Sequence, residues 1–375
     1  MTCLTELSPQ NRGVFAVGYY DWGNVGDELL LIGLDRYLRK RGLEPRIFAF
    51  SVKPLYPPLL ENVSYVSAMN PFSLFSALLN AGLAVFGGGT LFHDRTLRSI
   101  PFWTALVVIC KCAGKRVLLV SQGYDVSKSA FRALTRSAIR MADEVTVRDV
   151  KDLRFVRTLK VSLRTKIEYD LAFQLSSMFP KLQDDSPFDE RKILGINLRH
   201  PSWWRGRVDD ADFIGRWASS LDSLVDRLGV DIVMVPFLMR SSPNSDLSLM
   251  RSIRTSMNRR QCVRINVPLI DENLIPSLSV LFRTFGLFIG SAYHSLVVST
   301  LVGVPFVVVP YQAKSANLAE TLGFTDMVLN PNGDLDMSRV LLAWEQRERL
   351  RNRLLESREA VIRGIQCGFS PHVGA

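Results

Sequence analysis

Three short loops hold the residues of this chain best placed to do chemistry. The first lies in residues 18–30, GYYDWGNVGDELL, where an apolar run (residues 14–17) stops at glycine and an amphipathic helical pattern begins near Asp27. Gly23, Asn24, Gly26 and Asp27 in that turn suit a bound ligand. Glycine lets backbone approach closely, and the N–H groups at a helix start favour an anion or a polar hydroxyl. The second loop, GGGTLFHD at residues 87–94, follows LAVF and gives Gly88, Gly89 and Thr90 room above a strand end. Asp94 there could act as base or acid toward a hydroxyl, or could cap the next helix; His93 reads more simply as packing. The third, GSAYHS at residues 290–295, follows LFI. Its His294, one of only four histidines, suits proton transfer or anion binding.

Two cations follow the same positional logic. Arg199 ends the run ILGINLR, and Lys314 follows the run VPFVVVPYQA. At strand ends, a guanidinium and an ammonium can hold a carboxylate or a phosphate. Arg205 and Arg207, beside Trp203 and Trp204, are further cations that could close over a site, or belong to a surface loop. Metal-ligand spacing, a complete phosphate-binding or dinucleotide fingerprint and Gly-x-Ser-x-Gly are all missing, so no metal and no bound cofactor is expected.

The elements that must position these loops alternate along the chain. Strands are predicted at 14–19, 46–50, 83–87, 116–121, 144–148 and 166–168, with helices at 27–41, 71–80, 100–113, 128–141 and 150–158. Runs such as Val117-Leu118-Leu119-Val120 suit strands covered on both faces, as in a parallel sheet between helix layers. After a polar break at 183–191, QDDSPFDER, the pattern resumes. Its strands are predicted at 193–199, 231–236, 263–266, 286–290, 304–309 and 327–329, and its helices at 210–228, 245–258, 273–283, 294–302 and 315–322. The expectation is an α/β chain of two Rossmann-like, doubly wound domains facing across a cleft, residues 1–182 and 192–335. A basic helical segment, 336–375, is expected to pack over their junction.

Composition bounds the rest. A chain of 375 residues that is 47% hydrophobic and 10% aromatic supports two cores. Its net charge of +10 favours anionic partners: phosphorylated metabolites or a membrane surface. No nucleic-acid-binding motif accompanies that charge. The five cysteines form no disulfide framework and read as buried free thiols of a reducing compartment. The start MTCLTELSPQNRG resembles no signal peptide, and no run reaches the about 18 apolar residues of a spanning helix. A cytoplasmic protein, with peripheral contact at the inner face of the membrane left open, is expected.

Taken in order, GYYDWGNVGDE, GGGTLFHD, residues 121–149, YDLAF (169–173), INLR (196–199) and residues 291–314 resemble the polysaccharide pyruvyl transferase family over about residues 13–323. The resemblance implies a glycosyltransferase-B-like fold with an acceptor side in the first domain and a donor side in the second. It implies transfer of pyruvate from phosphoenolpyruvate to a sugar or lipid-linked glycan as a ketal, with release of phosphate. On it, Arg199, Lys314, Ser291 and Tyr293 fall on the donor side, His294 is the acid or a phosphate ligand, and Asp94 is the base toward the sugar. The chain departs from the pattern at Ala292, where the family usually has arginine, and at His93, where it has a polar amide. Losing a charged contact costs about 1.5–3 kcal/mol of anion binding; Arg205, Arg207 and Arg95 are the candidates to replace it. A nucleotide-sugar-dependent glycosyltransferase and a non-catalytic glycan-binding relative are the alternatives.

Overall fold

The computed structural model describes residues 13–51, 55–161, 165–179, 188–204, 209–330 and 335–367. By its contacts the chain forms two compact units. The first holds residues 13–22, 27–175 and 363–367; the second holds Gly23–Gly26 and Ser176–Ile362. The division falls at Leu175/Ser176. Of the polar break at 183–191, residues 183–187 lie outside the described residues; Phe188–Glu190 form a turn of 3-10 helix.

The first unit is built on β1 (Gly13–Val17), β2 (Arg46–Ser51), β3 (Val63–Ser67), β4 (Ala81–Gly87), β5 (Phe92–His93), β6 (Arg116–Gln122), β7 (Tyr124–Asp125), β8 (Glu144–Val147) and β9 (Lys166–Ile167). Seven of these make one parallel sheet in the order β3-β2-β1-β4-β6-β8-β9, and β5 pairs with β7 beside it. The helices are α1 (Val25–Lys40), α2 (Pro71–Asn80), α3 (Ser99–Cys112), α4 (Ser129–Met141) and α5 (Val150–Thr158). β1, β4 and β6 are buried along almost their whole length. Helices cover both faces. Leu30, Leu31, Leu34 and Leu38 of α1 pack with Val14, Val85 and Leu118, while α2–α5 pack with Phe15, Phe86 and Leu119. Asn70 caps α2, accepting from Phe72 N and Ser73 N, and Pro71 opens that helix without needing a donor.

The second unit repeats the scheme. β10 (Ile193–Asn197), β11 (Asp231–Met234), β12 (Val263–Ile265), β13 (Phe285–Gly290) and β14 (Phe306–Val308) form a parallel sheet in the order β12-β11-β10-β13-β14. Its helices are α6 (Asp210–Leu228), α7 (Asp246–Ser256), α8 (Leu274–Arg283), α9 (Tyr293–Val302), α10 (Ala313–Thr321), α11 (Met337–Glu345) and α12 (Arg347–Cys367). In both sheets the strand order reverses beside the first strand, at β1/β4 and at β10/β13. Ligands of doubly wound sheets bind outside the carboxyl ends of strands at that switch point. The loops singled out from the sequence follow β1, β4 and β13, and Arg199 follows β10.

The sequence reading needs several corrections. β3 was not expected, because only Val63 and Val66 of VSYVS are buried apolar residues and the strand lies at the sheet edge. Where a strand is expected at 327–329, the chain forms a 3-10 turn, Thr325–Met327, with a single bridge from Val328 to Val308. The expected C-terminal helix is two, broken at Gln346. Of the described cysteines only Cys110 is buried; Cys112 is exposed and Cys262 half-buried, all three free.

Candidate functional site

In the first unit, the turn after β1 is a scaffold of buried acids. Asp21 sits at φ 60, and its carboxylate accepts from Ser51 Oγ (3.2 Å) and Tyr56 N (2.9 Å). Its own N–H donates to Glu28 Oε1 (2.6 Å), and Tyr65 OH donates to Glu28 Oε2 (3.0 Å). Burial pushes the Glu28 carboxyl up to about 7, against those two donated bonds. Tyr20 OH donates to Gly87 O (2.8 Å), tying this turn to the triple glycine. The sequence pointed to Asp27, which is half-buried, and not to Asp21 and Glu28, whose carboxylates also meet Ser51, Tyr56 and Tyr65 thirty or more residues away.

Gly88 (φ 75) and Gly89 (φ 76) hold left-handed conformations after β4. Gly88 N donates to Val120 O (3.0 Å) and Gly123 N to Gly89 O (2.9 Å), locking two loops together. At Gly123, a β-carbon would fall 2.4 Å from Arg148 Nη2 and 2.9 Å from Thr90 Oγ1. Thr90 and Arg148 therefore converge over that glycine. Arg148, at the end of β8, was not anticipated: in TVRD it reads as a cation preceding a helix. It is buried, 3.6 Å from Asp152 Oδ2. Burial pushes Asp152 up to about 7, opposed by the Arg148 charge.

The two other groups of this loop have structural partners. His93 Nε2 lies 3.3 Å from both Tyr19 OH and Ser99 Oγ. Asp94 Oδ2 accepts from Ser127 N (2.6 Å), Ser127 Oγ (2.7 Å) and Lys128 N (2.9 Å), immediately before α4. Partial burial opposes the shift, but these bonds hold its carboxyl below the usual carboxylate range. Arg95 is engaged with Asp125, through Nε (3.1 Å) and Nη2 (3.0 Å) to Oδ2.

The second unit gathers more of the selected residues. Asn197, the last residue of β10, organises the loop before α9: its Oδ1 accepts from Ala292 N (2.9 Å), and its carbonyl accepts from Ser291 N (2.9 Å). Ser315 Oγ donates to Ser291 O (2.8 Å), joining α10 to the same loop. Tyr293 and His294 open α9, both buried, with rings edge to face at 5.2 Å. Ala292, at the N-cap, offers no side-chain acceptor to that helix. Arg199 donates from Nη1 to Asp246 Oδ1 (3.1 Å), and the buried Asp246 also accepts from Phe237 N and Leu238 N. The Arg199 guanidinium and the Lys314 ammonium each lie 5.8 Å from the Tyr311 ring. Two cations thus flank one aromatic ring beside the starts of α9 and α10.

Gly23–Gly26 joins this unit. Val25 N donates to Phe237 O (2.9 Å) and Met239 N to Gly23 O (2.8 Å), and Asn24 bridges Leu238. A β-carbon at Gly26 would fall 2.2 Å from His294 Nδ1. Only glycine fits there, so Gly26 is brought against His294, while Gly23 and Asn24 pair with Met239 and Leu238. Arg205 and Arg207 lie outside the described residues. Among the described residues, no cluster of His, Cys, Asp or Glu could hold a metal ion.

Two Rossmann-like units with loops gathered at their switch points define the glycosyltransferase-B-like fold class. UDP-GlcNAc 2-epimerase from Neisseria meningitidis, solved bound to UDP-GlcNAc, is similar in fold (TM-score 0.56, 11% identity, 95% of this chain and 100% of that one). So are UDP-GlcNAc 2-epimerase from Methanocaldococcus jannaschii (0.54, 10%, 95% and 99%) and a UGT transferase from Siraitia grosvenorii in complex with UDP (0.54, 12%, 96% and 96%). No curated protein is similar to the chain in sequence. The family profile for polysaccharide pyruvyl transferase matches residues 24–313. The chain belongs to the polysaccharide pyruvyl transferase family. It is a transferase, and membership implies a sugar or polysaccharide acceptor.

Proposed function

We propose that the protein transfers the pyruvyl group of phosphoenolpyruvate onto two hydroxyls of a sugar, forming a ketal and releasing phosphate. The observation that carries this reading is the cluster in the second unit: Arg199 and Lys314 about Tyr311, with His294 in the first turn of α9. Phosphoenolpyruvate presents a carboxylate and a phosphate, and two cations beside helix starts are suited to both. With arginine replaced by Ala292, the proposal gives its charge to Arg199 and Lys314, while Ser291 and Tyr293 shape the donor side.

In this reading His294 protonates the methylene carbon, leaving positive charge on the central carbon. A sugar hydroxyl adds there and loses its proton to a base. Phosphate then departs with the C–O electron pair, and a second hydroxyl closes the ketal, losing its own proton. Asp94 is proposed as the base and Gly88, Gly89 and Thr90 as the acceptor cradle, with Asp27 beside the first helix start. Gly26, packed against His294, is proposed to hold it in place, with Gly23 and Asn24 in the same turn. The proposal puts the enzyme in the cytoplasm, acting on a glycan precursor, lipid-linked, with peripheral contact at the membrane. No described helix is long and apolar enough to cross one.

Phosphate release from phosphoenolpyruvate with candidate sugars tests the reading. His294→Ala should abolish release and leave the melting temperature nearly unchanged; an active variant removes His294 from the chemistry. Ala292→Arg should keep or improve donor affinity. Release of a nucleoside diphosphate from a nucleotide sugar, with no response to phosphoenolpyruvate, would favour a glycosyltransferase.

A further inference from the structure

The first unit turns an unusually apolar surface to solvent. No Asp, Glu, Lys or Arg occurs between Glu61 and Asp94, a span that includes all of α2. On α2, Phe72 is 86% exposed, Phe75 63% and Leu79 60%, at the i, i+3, i+7 spacing of one helical stripe. On α3, Phe102 (46%), Val108 (38%) and Ile109 (47%) are exposed as well, and the helix has no charge before Lys111. Both helices cover the same face of the sheet, since their inner residues share one core with Phe15, Phe86 and Leu119. Scattered exposed apolar residues mean little, but an apolar stripe on one helix, with further exposed apolar residues on a second helix over the same sheet face, marks an interaction face.

The flank of this surface identifies its occupant. α4 packs directly on α3 and is basic along its length, with Arg132 turned to Thr158 and Phe155 of α5. Lys128 and then Arg132, Arg136 and Arg140 recur every four residues, and α4 itself contains no acid. Lys128 and Arg140 are exposed, and Arg132 and Arg136 half-buried. Apolar helices next to a basic helix are complementary to an anionic bilayer: apolar side chains enter the acyl boundary while the cations meet headgroup phosphates. A second copy of the chain would bring the same row of cations toward itself. With no described helix able to span, attachment would lie in the interface.

We propose that the α2–α3 face, edged by the cations of α4, docks the protein on anionic membrane. This locates the peripheral contact in the functional proposal, yet stands on the exposed residues alone and does not require pyruvyl transfer. The test is sedimentation of the full chain with phosphatidylcholine vesicles, with and without phosphatidylglycerol, at low and high salt. Binding is expected only to the anionic vesicles, weakening with salt. Phe72→Ser with Phe75→Ser should weaken it at least about tenfold, and Arg136→Ala and Arg140→Ala about fivefold per charge. A Phe72→Trp probe should shift its emission to the blue and be quenched by acyl-chain spin labels. Phosphate release without vesicles, measured on the same variants, should be unchanged, which separates failure of docking from failure of the chemistry. No partition onto anionic vesicles, or undiminished partition of the double serine variant, overturns the proposal. So does a wild-type dimer that the serine variant dissolves, which assigns the face to a second copy.

Discussion

Gly26→Ala is the most informative single perturbation of the site. The added methyl would stand 2.2 Å from His294 Nδ1, 2.7 Å from Cγ and 2.8 Å from Cβ. Ordinary contact begins near 3.4 Å, so the imidazole must retreat by about 1 Å. It cannot do so alone, because His294 is buried in the first turn of α9, whose preceding loop is held by Asn197. A shift of that size at a reacting group costs on the order of 10²-fold in rate. Strain of this kind lowers stability by about 1–3 kcal/mol. Steady-state phosphate release and denaturant unfolding on the same preparation separate the two effects. Gly215→Ala is the control: it is exposed on α6, a β-carbon there meets nothing within 4 Å, and it should stabilise by about 0.5–1 kcal/mol without touching turnover. Gly26→Ala with wild-type kcat would refute the claim that this glycine positions His294.

Three further outcomes follow from the geometry. Glu28 binds its proton more tightly folded than unfolded, so its contribution is full below the ordinary pKa near 4.5 and is lost as pH rises to about 7. Wild type should therefore lose up to about 3 kcal/mol relative to Glu28→Gln between pH 5 and 8 in denaturant titrations, and parallel pH profiles would contradict the buried-acid account. Arg199→Ala should cost about 3 kcal/mol, because Asp246 stays buried without its cation, and should raise the KM for phosphoenolpyruvate; a loss below about 1 kcal/mol would dismiss the pair as a support. Asp94→Asn can still accept the Ser127 and Lys128 bonds, so its melting temperature should hold while kcat falls about 10²-fold or more. Turnover within tenfold of wild type would leave Asp94 only its capping duty.

Much of the fold is written locally. Val117 to Val120, or Leu83 to Phe86, are continuous apolar runs that suit a strand covered on both faces, and the glycines that end such runs mark where loops leave the sheet. What the sequence hides is the pairing of polar side chains across distance. Asp94 meets Ser127 and Lys128, Glu28 meets Tyr65, and Arg148 and Thr90 both close on Gly123. None of these has a local periodicity, since the order of strands in the sheet decides which loops meet. Gly23–Gly26 makes the same point: adjacent in sequence to β1, it bonds instead to Phe237 and Met239. Cys112 shows the limit of composition: it ends the apolar run of α3, yet it lies exposed on that helix.

The most direct test of pyruvyl transfer follows the carbon atoms. Phosphoenolpyruvate labelled with carbon-13 at its central carbon, incubated with the protein and a sugar acceptor, should yield a ketal resonance in the recovered glycan and one phosphate per ketal formed. Label that returns only as phosphoenolpyruvate or free pyruvate across a panel of acceptors, with no ketal carbon, would contradict it.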